Sequence, residues 1–480
     1  MPLFRRQQIL VKLESSENVN ASPAGSDAIL VYEPTISQEN DTQELKPAGA
    51  SLSREFSPVG RKKRSIGFKS FFVGSADTSI PITVPGWGIL GQPCGLRSIG
   101  PVKIPVTSVS GALGYQAGEI VRQSSTIRGV VLGMFSAGVL VDRLTGSGDV
   151  IVAPIQGTFT TGTLTGESSA VTGTIGTVAA YAGLCFGVTS DKITTVTTGA
   201  WSAAVPAVGD VLQVKASGVL VGLVQLITDN ASGAFTNIDV VLLQGTISNG
   251  NTLVVGANSA TINAAPTMTR TPSATVRHNL DGRRRDITGG RGEFELEGGV
   301  GQGLMFTWKY EGDPAAAVDA LPASTSGLSG TSAPRLLGAK VCYGKRVDTT
   351  AGDTATDMVR LATKSLKLSS GNVVSPNLDA NAAGGAYGSN ITDRKPVMSV
   401  VVNEVQSGFD WDSFVENASP MRFCALLGTV PGNIVGIAIP NAQAESAGIG
   451  ETDGVVTRDV NLEPKRVLEA GDDEFFLFQL

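Results

Sequence analysis

Arg61-Lys62-Lys63-Arg64, Arg283-Arg284-Arg285 and the acidic run Asp472-Asp473-Glu474 stand out in the 480-residue chain as residues whose type and spacing could do chemistry. Clustered guanidinium and ammonium groups can grip phosphates, serve as a localisation signal, or pair with acidic segments of another protein surface. Asp+Glu (43) outnumber Lys+Arg (37) and the pI is near 5.1, which argues against a protein built to neutralise phosphates. Contact with another protein surface is the reading preferred for these runs, ahead of a solvated turn or direct DNA binding. Complementary charge there would set register and partner choice more than affinity. The same ten residues, with Glu293, Glu295 and Glu297 as further acidic partners, are the candidate contact set.

Other chemistries find little support. Cys94, Cys185, Cys342 and Cys424 are far apart with no C-x-x-C pair, and His278 is the single histidine, so a zinc site is not expected. A serine or cysteine nucleophile would lack its usual base unless His278 served. Asp281, Asp286, Asp393 and Asp453 do not follow calcium-loop spacing and are read as turn formers. Neither an enzyme, a metal site nor a cofactor is expected.

The elements that must position these residues read as strands. A content of 41% hydrophobic and 17% charged residues with 59 glycines fits many short strands and turns. Phe294 and Leu296, then Phe306 and Trp308, alternate with polar residues on either side of Gly298, Gly299, Gly301 and Gly303. Those glycines precede a strand instead of opening a helix, so they are turn residues and not a phosphate cradle. A second buried face is expected from Phe423, Ala425, Leu427, Ile437 and Ile439. Short helices are expected at 87–95 and 410–417, Trp87, Trp308 and Trp411 are read as core anchors, and His278 as an ordinary strand residue. No run of about 18 apolar residues occurs and the N-terminal stretch lacks an apolar signal core, so neither a membrane span nor a signal peptide is expected.

Only 13 charged residues fall in 113–265, which marks a separate module. Within it AGEIV (117–121) matches VGDVL (208–212), and IQGTFTTGTLTGESSAV (155–171) matches LQGTISNGNTLVVGANSAT (243–261), implying two tandem all-β units. The flanks match each other as well: each runs hairpin, basic turn, strand, short helix, paired strands. The expected organisation is a first β-module from 1–112 and 266–322, an exterior all-β insert at 113–265, a linker at 323–332 and a second β-module at 333–480. Removal of the exterior insert should then leave assembly intact.

DGRRRDITGGRGEFELEGGVGQGLMFTWKYEG (281–312), GNVVSPNLDANAAGGAYGSNITDRKP (371–396) and the terminal GDDEFFLFQL resemble, in that order, the tail tube proteins of long-tailed bacteriophages. The resemblance covers roughly 1–112 and 266–480. It implies β-sandwich or barrel modules, each with a short helix, that stack as rings around a channel for DNA. It implies no catalytic residues, a place in the virion after assembly in the host cytoplasm, and partnership with copies of itself and other tail proteins. Double-stranded DNA would pass without specific binding. Two modules per chain favour three copies with pseudo-sixfold symmetry over a hexamer. An adhesin or decoration protein and a single-ring baseplate or tail-tip protein are the alternatives.

Overall fold

Period-2 alternation governs nearly every element of the computed structural model, and the chain is all-β, as expected. The structure describes residues 7–14, 18–42, 59–76, 84–189, 193–199, 201–202, 211–214, 220–229, 235–242, 250–255, 258–263, 267–269, 271–320, 332–378, 380, 385–404, 409–468 and 471–480. The expected linker, 323–332, falls almost wholly outside them, as do 243–249 and 256–257 of the 243–261 repeat.

The body begins with β1 (Gln7–Leu13), β2 (Tyr32–Thr42), β3 (Val59–Phe71), α1 (Gly86–Gly91), β4 (Leu96–Ile99), β5 (Leu184–Val188), β6 (Ala274–Leu280), β7 (Arg283–Gly299) and β8 (Met305–Pro314). It continues with β9 (Lys340–Lys345), β10 (Thr363–Ser369), β11 (Asn372–Leu378), β12 (Ala386–Arg394), β13 (Val397–Asn403), α2 (Trp411–Glu416), β14 (Pro420–Leu427), β15 (Val435–Thr452), β16 (Val455–Pro464) and β17 (Phe476–Gln479).

These two series run the same programme. β1 pairs with β6, and β6 with the N-terminal part of β7; likewise β9 pairs with β14, and β14 with the N-terminal part of β15. The C-terminal part of β7 continues through β8 and β3 to β2, and that of β15 through β16 and β13 to β10. All pairings are antiparallel. Register shifts between Thr288 and Arg291 in β7, and between Ala444 and Ser446 in β15, mark where each long strand passes from one set of partners to the other. An extra residue there supplies the bend.

The alternating apolar sets meet in one core. Phe294, Leu296, Phe306 and Trp308 from the first series and Phe423, Ala425, Leu427, Ile437 and Ile439 from the second are all buried. Phe306 stacks on Trp308 with ring centroids 4.6 Å apart, and Trp87 of α1 meets Phe72 edge-on at 4.9 Å. Trp411 anchors α2 against Tyr343 in the same manner. The α2 helix starts where expected, because the Asp410 side chain accepts from the Asp412 and Ser413 amides, and α1 runs on into a 3-10 turn at Gln92–Cys94. Asp281-Gly282 and Asp453-Gly454 make two-residue turns with positive φ throughout. Asp286 and Asp393 correct the sequence expectation: both lie within strands, and Asp286 is buried.

The insert departs from its expected boundaries. Strands 102–110, 120–124, 127–136, 148–156, 162–166 and 172–175 close into a six-stranded barrel, so this unit begins at Val102 rather than 113. The chain then returns to the body as β5, which pairs with β4 on one edge and β17 on the other. A second sheet follows over 193–269, with the same strand order where its strands are described. The barrel is not an independent decoration. Leu132, Phe135, Ile151 and Ala153 share an apolar cluster with Cys424, Leu426, Ala438, Phe476 and Phe478 of the body. Deleting 113–265 would remove β5 and uncover that cluster, so the truncated chain should fail to give soluble protein with a cooperative melt in circular dichroism. A soluble, cooperatively melting deletion product would contradict this account of the insert.

Candidate assembly interface

The two series are joined edge to edge. In the C-terminal part of β7, Glu295, Leu296, Glu297, Gly298 and Gly299 face Ser369, Leu368, Lys367, Leu366 and Ser365 of β10. Leu296 and Leu368 are fully buried, and on the other face Lys367 Nζ lies 2.9 Å from Glu295. Beyond the strand end the Ser370 amide donates to the Phe294 carbonyl at 2.9 Å, and Asn372 Nδ2 donates to the Gly292 carbonyl at 3.0 Å. This joint leaves two sheet edges at the ends of the doubled array. Among the described residues β2 pairs only with β3, and the C-terminal part of β15 only with β16. Ile449 near the tip of β15 is 74% exposed, and Val455 and Val456 beside it are exposed too. Unpaired strand edges are templates for another strand, the more so where apolar residues are exposed beside them, as at the tip of β15.

The basic runs lie within strands and not in turns. Alternation in β3 places Arg64 with Ile66 and Phe68 on the inward face, where it is 4% exposed. Its Nη1 donates to the Asp286 and Ala315 carbonyls, and its Nη2 to Gln38 Oε1. Burial lowers the pKa of its guanidinium, and Arg285 adds to the shift. Lys63 is engaged by Glu311 at 2.7 Å, Lys62 is exposed, and Arg61 is half-buried. In the second run Arg283 is exposed and pairs with Asp319 at 2.8 Å, whereas Arg284 lies 3.6 Å from Asp286. Asp286 itself is held by Arg277 through Nε at 3.0 Å and Nη2 at 2.9 Å. His278 is buried in β6, with Nε2 2.8 Å from Gln7 Oε1; burial, then Arg285, depresses its pKa to about 4.

The acidic run is an internal anchor. Asp473 is buried, accepts from the Val467 and Leu468 amides, and has its pKa raised by burial to about 6. Asp472 and Glu474 bracket Arg394 at 3.2 Å each. Arg64, Asp472 and Asp473 therefore leave the candidate contact set: each is buried against partners in its own chain. Glu293 and Glu295 are likewise paired within the chain, with Lys309 and Lys367. No group of three or more metal-ligating side chains, and no helix long and apolar enough to cross a membrane, occurs among the described residues.

One buried pair escaped the sequence reading. Glu119 of the AGEIV motif and Arg422 of β14 are both buried, with Arg422 Nη1 3.5 Å from Glu119 Oε2. Gly118, at φ 82°, permits this docking, since a Cβ there would sit 2.9 Å from the Cys424 Cβ. The Gln116 amide and Ser169 hydroxyl donate to Glu119 Oε1. Burial nevertheless outweighs Arg422 and these donors and raises the pKa of Glu119 to about 7. No protein-family model matches the chain, and no curated protein matches it.

The Glu119 carboxyl binds its proton more tightly in the folded than in the unfolded chain. Its contribution is therefore most favourable below pH 4.5 and declines as pH rises towards 7. Glu119→Gln removes that decline. Denaturant unfolding at pH 4.5 and 7 should show the stability of the variant relative to wild type rising by on the order of 3 kcal/mol between the two. A difference that does not change with pH would contradict the assignment.

Proposed function

We propose that this chain is a structural virion protein that polymerises as stacked rings into the tail tube of a long-tailed bacteriophage, forming the channel through which the genome passes. One observation carries the reading: the body holds the same strand programme twice, fused edge to edge through β7 and β10, with edges at both ends that are unpaired among the described residues. A head-to-tail array of this kind closes into a ring when the rotation per unit divides a full turn. Three chains would supply six wedges. The resemblance of 281–312, 371–396 and the C-terminal run to tail tube proteins points to the same architecture.

The role is mechanical, with no catalytic residue, cofactor or sequence-specific DNA contact. The surface would be supplied by sheet edges within a ring and by charges between rings. Lys62 and Arg283 are the exposed members of the basic runs available for the axial contact, which would weaken with salt. Electron microscopy of the purified protein, with mass measurement of single rings, tests the proposal: stacked rings of three chains are expected. Monomers at high concentration would overturn the tube reading. Rings of six complete chains would overturn the pseudo-sixfold trimer, and single rings that never stack would favour a tail-tip ring.

A further inference from the structure

The internal repeat allows the register of a contact between copies to be derived residue by residue. Pro314 at the end of β8 and Pro464 at the end of β16 face Ile287 and Ala442. Past the bulges Glu311 faces Arg291, and Asn461 faces Ser446. Arg291 thus corresponds to Ser446, Phe294 to Ile449, Glu295 to Gly450, Leu296 to Glu451 and Glu297 to Thr452. On the other side, Arg64 faces Gly312 and Gln38, while Met398 faces Leu462 and Leu368. Gln38 therefore corresponds to Leu368, Ser37 to Lys367 and Glu39 to Ser369. Register shifts at Tyr32/Thr35 and at Thr363/Ser365 occur at the same point of β2 and β10.

Resting on the ring reading, we propose that the C-terminal part of β15 pairs with β2 of a second copy of this chain, in the register that β7 and β10 use internally. Gly450 then faces Glu39, Glu451 faces Gln38, and Thr452 faces Ser37. Three features support the match. The Phe294 carbonyl accepts from the Ser370 amide, so alternation along an antiparallel ladder makes Leu296/Leu368 a hydrogen-bonded pair. Ile449 and Glu451 hold the corresponding phase: Thr452 and Val455 flank a two-residue turn and bond to each other, which turns the backbone groups of 451 and 449 towards the free edge. Burial differs where a missing neighbour would make it differ. Phe294 is 1% exposed beneath β10, while its counterpart Ile449 is 74% exposed. The charge pattern also selects the register, because no transferred pair opposes like charges, whereas a slip of one residue sets Glu451 against Glu39.

The transferred Thr452/Ser37 pair is non-hydrogen-bonded, with Cβ atoms close enough for a disulfide. A chain carrying both Thr452→Cys and Ser37→Cys should, under mild oxidation of assembled particles, give a non-reducing ladder of covalently linked chains ending at the closed ring. The native thiols at Cys94, Cys185 and Cys424 are buried, and wild-type particles give the background. A control pair two residues out of register, Gly450→Cys with Ser37→Cys, should cross-link at least tenfold less. Particles that form without a ladder, or that link equally well through the control pair, would overturn this register while leaving the tube reading in place. A wild-type chain that never self-associates would overturn both. Should the double variant fail to assemble, amide exchange of wild-type particles reads the same edge: slowed exchange at Ile449 and Glu451 is expected, and unchanged exchange there overturns the proposal.

Discussion

The pairing of β7 with β10 is the constraint on which the remaining structure depends. It fuses two copies of one strand programme into a continuous sheet and buries Leu296 against Leu368. Because β7 bends at its bulge, the same strand also belongs to the layer formed with β1 and β6. One strand thus fixes the angle between layers and the spacing between repeats. A repeat joined in this way has a partner on one side and, among the described residues, an open edge on the other, which is the geometric basis of the proposed ring.

The buried charges make the same point about the inserted barrel. Glu119 and Arg422 lie at a desolvated contact between barrel and body, where the pair itself is a loose 3.5 Å and hydrogen bonds supply the rest: Gln116 and Ser169 donate to Glu119, and Arg422 Nη2 donates to Gln116 Oε1 and the Thr356 carbonyl. Such a pair is weak evidence of net stabilisation, and its better-attested use is to specify one arrangement. Here it lies where the AGEIV loop seats on β14, beside the Leu132, Phe135 and Ile151 cluster. The barrel is thereby a structural neighbour of the second repeat, while β5 ties its exit strand into the body sheet.

Much of this was legible in the sequence. Alternation about Phe294 and Phe306 and about Phe423 and Ile437 located the core faces, Asp410 located a helix start, and the parallel order of hairpin, helix and paired strands located the duplication. Arg64 was placed in the contact set with its neighbours because four adjacent charges look surface-exposed. Extending the phase of Ile66 and Phe68 back by two residues would have placed Arg64 inward. Asp473 was misread for a similar reason, since a run of three acids gives no hint that two amides close over one of them. The boundary at 102, the return strand 184–188 and the Glu119–Arg422 pair depend on contacts between residues far apart in the sequence, which no local pattern encodes.

The central claim is that one joint is used both within and between chains. A density map of the assembled particle at side-chain resolution tests it most directly. The account predicts a sheet that runs around the ring without interruption, with β7–β10 and β15–β2 joints alternating and superposing on one another. A ring in which β15 and β2 face solvent, or pair with other strands, would contradict it.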